Sequence, residues 1–239
     1  MTEKSACLDM LFTDQTPDVA ARVALARAAG FQAVVFWLWS NKDLDALQAA
    51  VLASGLRVTG FVAEPMISLV DAANHARFLA ALPASIAVAQ RLGARFLFIQ
   101  AGNPVPGLDR LTQTAALVAC LQAAAQVLAG SGVTLLLEPV NSRHDHPGCF
   151  LDRAAEGIDI IAQVDRPELR LLFDLYHSAV MGETAQAAIG SNIGLVGHVH
   201  LADHPGRGAP GTGALDIDGA VDWLKARGYR GDFGYEHRM

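Results

Sequence analysis

The sequence predicts an α/β protein, a (β/α)8 TIM barrel forming a single domain over residues 1–239 and ending before an eighth outer helix. Three observations predict it. Apolar, β-rich runs alternate with Ala-rich runs of helical period, and no linker or composition shift divides the chain. Eight apolar runs and seven helical ones can be counted, which favours a closed barrel over an open sheet. The last four apolar runs each end in ionisable residues, as strands do when their carboxyl ends build a site.

In chain order, the first strand is expected at 6–11. A helix at 16–29 has Thr16 as N-cap, Pro17 at its first position and Gly30 past its end. Strand two is expected at 33–38, a helix at 43–54 closed by Gly55, and strand three at 58–62. The helix at 74–92 ends at Gly93 and carries Pro83, which kinks or breaks a helix interior. Strand four follows at 96–100, and a long Ala/Leu helix runs over 109–128 to Gly130. Strand five is expected at 134–138, a helix at 153–163, strand six at 171–175 and a poorer helix at 183–193. Strand seven takes 196–201, a helix 218–227 and strand eight 233–236. With no eighth helix, the apolar outer face of strand eight needs cover from a neighbouring helix or a second subunit. That argues for a homodimer or other homo-oligomer.

The chain has 239 residues, 52% of them hydrophobic, enough for one large core. A net charge of -6 and no basic stripe argue against a nucleic-acid partner. Cys7, Cys120 and Cys149 are odd in number and far apart, which reads as a reducing compartment and excludes a thiolate-rich zinc site. The opening MTEKSA lacks a signal-peptide pattern, and no apolar run reaches the length of a membrane span. The expectation is a soluble, cytoplasmic protein with a small-molecule substrate and no membrane partner.

The chemistry centres on VGHVHLADHPGRGAPGTG at 196–213. His198 and His200 are strand neighbours at i and i+2, so they share a face. His200 lies near the loop, and His198 reads as a packed barrel histidine one layer deeper. Strand five ends in Glu138, strand six in Asp174 with His177 three residues on, and strand eight in Glu236. Two Glu, one Asp and one His make an oxygen-rich set suited to Mg2+, Mn2+ or Co2+, with positions left for substrate oxygens. Without a cation, carboxylates crowded into one mouth would repel each other and be desolvated. His144 and His146 read as residues of a solvated loop, and His75 and His237 as structural. Arg207 either holds an anionic or hydroxyl-rich substrate at the mouth or is a surface arginine. Phe36, Trp37 and Trp39 either wall the pocket or pack. GRGAPGTG lacks the P-loop pattern, although phosphate sites occur near strands seven and eight of barrels. The GxS nucleophile-elbow pattern is absent.

LLLEPVN at 135–141, PGCFL at 147–151, FDLYH at 173–177, GHVHLADHPGRGAPGTG at 197–213 and GYEHR at 234–238 resemble the hydroxypyruvate isomerase family. SACLDMLF at 5–12 is also similar, so the resemblance spans the chain. That family belongs to the xylose-isomerase-like TIM barrels, with ketose 3-epimerases and inosose dehydratases. The resemblance implies a divalent metal (Mg2+ or Mn2+, with Co2+ or Zn2+ as alternatives) on Glu138, Asp174, His200 and Glu236. It implies Glu138 and Glu236 as the acid/base pair and His177 and Arg207 as substrate contacts. The expected reaction is hydroxypyruvate to tartronate semialdehyde through an enediolate. Epimerisation or dehydration is the alternative, since the isomerases usually carry Gln, and the epimerases His, where His200 stands. A barrel that binds metal or sugar without turnover is a further alternative. A DNA-repair enzyme of the endonuclease IV type is disfavoured by the acidic pI of about 5.7.

Overall fold

The short apolar runs become eight strands in a computed structural model that describes residues 3–238. They are β1 (Lys4–Cys7), β2 (Ala33–Phe36), β3 (Arg57–Val62), β4 (Phe96–Ile99), β5 (Thr134–Leu137), β6 (Leu169–Asp174), β7 (Val196–Leu201) and β8 (Phe233–Tyr235). Every neighbouring pair is parallel, and β8 pairs with β1 to close the barrel in sequence order. The helices are α1 (Val19–Ala28), α2 (Leu44–Ser54), α3 (His75–Leu92), α4 (Arg110–Leu128), α5 (Ala154–Val164), α6 (Leu175–Val180), α7 (Ala185–Ile189) and α8 (Ile217–Ala226). Strand alternation splits the core in two. Cys7, Val35, Phe98, Leu136 and Leu172 fill the barrel, while a larger apolar shell lies between strands and helices.

Several boundaries differ from the sequence expectation. β1 lies earlier than 6–11, because Cys7 O accepts from Met10 N–H (3.2 Å) and Leu11 N–H (2.8 Å) and turns the chain out of the sheet. α1 starts under Asp18, not Thr16: the Asp18 side chain accepts from Ala20 N–H at 2.9 Å. Thr16 Oγ1 accepts from Asp18 N–H instead, and Pro17 precedes the helix. α3 runs through Pro83 unbroken, held by the buried Phe78, Leu82 and Ile86. The helix expected at 183–193 shrinks to α7, since Gly190 leaves helical geometry (φ 54°), and a 3₁₀ turn (Ile193–Leu195) leads into β7. α6 was not expected. Asp174 starts it by accepting from His177 N–H at 2.9 Å, so one carboxylate both ends a strand and caps a helix.

α4 corrects the expectation about apolar runs. By length and composition it is long enough to cross a membrane, with a mean hydropathy of 1.4. In the fold it is an outer helix between α3 and α5, with Leu117, Leu121 and Leu128 buried and Leu111 exposed. No helix follows β8 among the described residues. The cover that its outer face needs comes from within the chain. Phe233 is buried edge-on against Tyr229 at 5.3 Å, and Tyr235 meets Phe31 edge-on at 5.5 Å.

The one-sided burial of α4 has a measurable consequence. Leu117→Ala is expected to lower unfolding free energy by about 2–5 kcal/mol, and Leu111→Ala by less than about 0.5 kcal/mol. Urea unfolding checks both; equal effects would contradict the placement of α4.

Candidate functional site

The carboxyl ends of β5 to β8 deliver the four ionisable residues to one place. Glu138 follows β5, and its N–H donates to Ile99 O at 2.8 Å. Asp174 ends β6, His200 is the penultimate residue of β7, and Glu236 follows β8 with its N–H on Leu201 O at 3.1 Å. All four are buried, and one ligand atom from each lies within 4.8 Å of the others. His200 Nδ1 is 3.6 Å from Glu138 Oε1 and 3.2 Å from Glu236 Oε2, without hydrogen-bond geometry. Both His200 ring nitrogens and Asp174 Oδ2 have no hydrogen-bond partner. Buried polar atoms are rarely left unpaired, since each costs about 1–3 kcal/mol. Carboxylate oxygens with one imidazole, several atoms of which lack partners, fit a hard or borderline divalent cation.

Glu236 is the most heavily tied of the four. Its Oε1 accepts from the Trp37 indole N–H at 2.7 Å and the Cys7 thiol at 3.5 Å; its Oε2 accepts from Arg207 Nη2 at 2.7 Å. Burial pushes its pKa up, but His200, Arg207 and Trp37 outweigh that and hold it well below the usual carboxylate range. Asp174 moves the other way, because burial outweighs Arg207 and His200. Burial also opposes charge on His200, yet Glu236 and Glu138 lift the imidazole to about 10. Without a cation, a proton on His200 supplies the positive charge that the acids demand. Trp37 is anchored in turn: its backbone N–H donates to Asp9 Oδ2 at 2.7 Å, and Asp9 pairs with the buried Lys42 at 2.9 Å.

His177 and Arg207 also reach this mouth. The Asn141 backbone N–H (3.2 Å) and side-chain amide (2.6 Å) both donate to His177 Nδ1. That leaves Nε2 to carry the proton, 3.7 Å from Asp174 Oδ2. Burial and Arg207 hold the ring down at about 4, so it is a neutral donor. Arg207 arrives because Asp203 folds the loop after β7, accepting from the backbone N–H of His204 (2.9 Å), Gly211 (2.9 Å) and Leu215 (3.0 Å). Arg207 sits at φ 58°, its guanidinium buried, 3.7 Å from Asp174 Oδ2 and 3.8 Å from Asp145 Oδ1. Arg207 is thus a buried residue lining the mouth, not a surface arginine.

The remaining candidates divide. His198 is fully buried one layer below His200, stacked on Phe98 at 6.0 Å. Gly234 makes room for both rings: a Cβ there would lie 2.6 Å from His200 Cδ2 and 2.8 Å from His198 Nε2. His146 corrects the solvated-loop reading, since it lines the cavity 5.5 Å from the His177 ring, while His144 is exposed. Trp37 walls the cavity; Phe36 stacks on Phe61 at 4.9 Å and Trp39 bonds Ser85 Oγ at 3.0 Å, so those two pack. His75 Nε2 meets Leu69 O at 2.9 Å, and His237 is buried. The cavity measures about 740 Å³ and is lined by Glu138 and Glu236 together with the apolar Met10, Trp37, Leu38, Val62 and Met66. Sequence reasoning missed Gln100, whose amide donates to Glu138 Oε2 at 3.3 Å, although a polar residue just past β4 is the same signal that marked the acids. It also missed Asp145, which takes Asn141 Nδ2 at 2.7 Å and the Tyr176 hydroxyl at 2.8 Å.

Eight parallel strands, with carboxylates and an imidazole gathered at the carboxyl ends of β5 to β8, define a (β/α)8 barrel with a polar mouth. The chain belongs to the xylose isomerase-like TIM barrel family, whose model matches residues 23–239. A 2-oxo-tetronate isomerase of Cupriavidus necator is 31% identical, covering 100% of this chain and 93% of the relative. A hydroxypyruvate isomerase of Escherichia coli is 28% identical, covering 100% and 94%. The crystal structure of an AP endonuclease, family 2, from Brucella melitensis matches with a TM-score of 0.91 at 28% identity, covering 99% and 93%.

Gly234→Ala is expected to push both histidines apart and cost about 1–3 kcal/mol. Thermal melting would then fall by about 2–4 °C for each kcal/mol. An unchanged melt would mean that the rings are not packed against Gly234.

Proposed function

We propose that this protein is a divalent-cation-dependent isomerase of a short α-hydroxy carbonyl compound, with hydroxypyruvate to tartronate semialdehyde as its reaction. The observation that carries the reading is the buried donor group with unpartnered atoms between two glutamates on one cavity. The isomerase names of the Cupriavidus and Escherichia relatives support the reaction class. Three carboxylates and one histidine in the cluster favour it over a phosphodiester substrate, which calls for positive charge.

Glu138, Asp174, His200 and Glu236 would hold the cation. When bound, it supplies Lewis acidity that favours negative charge on the substrate carbonyl oxygen. Glu138 takes the carbon-bound proton, its carboxylate oriented by the Gln100 amide. Glu236, kept ionised by Arg207 and Trp37, faces the same space; it takes the proton of the substrate hydroxyl and delivers it to the neighbouring carbon, while the proton on Glu138 passes to the former carbonyl oxygen. His177 offers a neutral Nε2–H to a substrate oxygen without adding charge. Arg207 supplies the positive charge for a substrate carboxylate.

A second reading uses the same residues for ketose 3-epimerisation, with the proton returned to the opposite face of one carbon. The cavity of about 740 Å³ and its apolar wall favour it, because a three-carbon acid fills little of that space.

Proton NMR in D2O with Mg2+- or Mn2+-loaded protein separates the readings. Deuterium entering the CH2 group of hydroxypyruvate, with tartronate semialdehyde formed, supports the first. Exchange only with longer ketoses supports the second, and silence across both panels favours a non-catalytic barrel. Glu138→Gln and Glu236→Gln are each expected to lower exchange at least about 100-fold while circular dichroism stays unchanged. The cation itself is expected to stabilise the fold by about 2.7 kcal/mol at a hundred times its Kd. EDTA should reverse that gain, and Asp174→Asn should remove most of it.

A further inference from the structure

The opposite end of the barrel holds a second cavity, of about 450 Å³. Its charged and polar lining differs in kind from the mouth. Arg57 and Thr59 come from β3, Arg95 from the turn into β4, Thr134 from β5, Arg170 from β6 and Arg230 from the turn into β8. Along β6, Asp174 reaches the mouth and Leu172 fills the barrel, so alternation places Arg170 on the same inner face at the far end.

These guanidinium groups are unequally neutralised. Arg57 pairs with Glu3 and with Asp232, whose Oδ2 also accepts from Thr59 Oγ1 at 3.1 Å. Among the described residues, Arg95, Arg170 and Arg230 form no ion pair. Arg170 Nη1 donates only to Leu169 O (2.7 Å) and Arg166 O (3.3 Å). Arg230 Nη1 donates to Lys225 O and Tyr229 O, both at 2.9 Å, and Arg95 lies over the Phe96 ring at 5.4 Å. In a chain of net charge -6, an arginine-lined hollow is a local reversal of sign. Gly194 and Gly228 on its wall, where a Cβ would meet nothing within 4 Å, let a ligand approach the backbone closely.

We propose that this cavity binds a small phosphorylated anion, of the size of a phosphate monoester or diphosphate, on Arg95, Arg170 and Arg230. Guanidinium groups present paired donors that match phosphate oxygens, and several of theirs are free here. The site lies across the barrel from the acids, so it is separate from the proposed reaction.

Calorimetric titration of the full chain with inorganic phosphate and pyrophosphate tests this. The expected result is one saturable site, tighter for pyrophosphate and weakened by added salt. The rim double variant Arg95→Ala/Arg230→Ala should weaken it at least about tenfold, and Arg170→Met should abolish it. Arg207→Ala, at the other mouth, should leave it unchanged. The rim variant decides the matter alone if Arg170→Met does not fold. No saturable binding at millimolar phosphate overturns the proposal. So does binding that survives the rim variant but is lost in Arg207→Ala, which would put the anion in the metal-side mouth.

Discussion

Three carboxylates and an imidazole, all buried with donor atoms within 4.8 Å, are the constraint on which this structure turns. Burying one ionised carboxylate without a partner is unfavourable by several kcal/mol, and burying three side by side adds their repulsion. The surrounding chain is arranged to offset that charge. Arg207 is drawn inward from a surface loop to within 2.7 Å of Glu236, and it adopts a left-handed backbone to get there. Asp203 spends its carboxylate on three loop N–H groups, which is what holds that loop over the mouth. Arg207 alone does not satisfy the cluster, since Asp174 Oδ2 and both His200 ring nitrogens have no hydrogen-bond partner.

Barrel closure is as much a part of the site as the acids. Trp37 and Glu236 are 199 residues apart, and only the pairing of β8 with β1, beside β2, brings the indole onto the carboxylate. The same seam brings the Cys7 thiol to the other side of Oε1. The histidine pair of β7 then depends on β8, because Gly234 is the neighbour with no side chain to fill their space. A barrel opened along this seam would take the Trp37 indole and the Cys7 thiol away from Glu236, while Arg207, Glu138, Asp174 and His200 stayed on the β5–β8 side.

Much of this was legible in the sequence because strands and their ends are local. β7 matched residue for residue, and Glu138, Asp174, His200 and Glu236 were each visible as a polar break in an apolar run. What was hidden is tertiary. Nothing local in FWLWS says that Trp37 faces the cavity while Phe36 and Trp39 face the packing, since strand alternation fails where β2 ends at Phe36. Asn141 and Asp145 sit in a loop whose order comes from contacts with His177 and Tyr176 over thirty residues away. α6 escaped notice because Asp174 was read as a strand end, and a carboxylate that also caps a helix looks the same in sequence. The source of the cover on the outer face of strand eight was not legible, because Phe31, which meets Tyr235 there, lies about two hundred residues earlier.

The two ends of the barrel carry opposite charge, and the layer between them keeps them apart. Acids gather at the carboxyl ends and guanidinium groups at the amino ends, with Cys7, Val35, Phe98, Leu136 and Leu172 across the middle. His198 lies in this layer, and burial together with the neighbouring His200 holds its pKa far below the ordinary value, so it is neutral there. Burial likewise keeps the Cys7 thiol protonated. A charge in that layer would meet little solvent and would couple strongly to both ends, because Coulomb energies rise as the local dielectric falls. By keeping its middle layer uncharged, the barrel lets the acidic mouth be tuned by Arg207 and Trp37 while the arginines at the far end remain a separate electrostatic system.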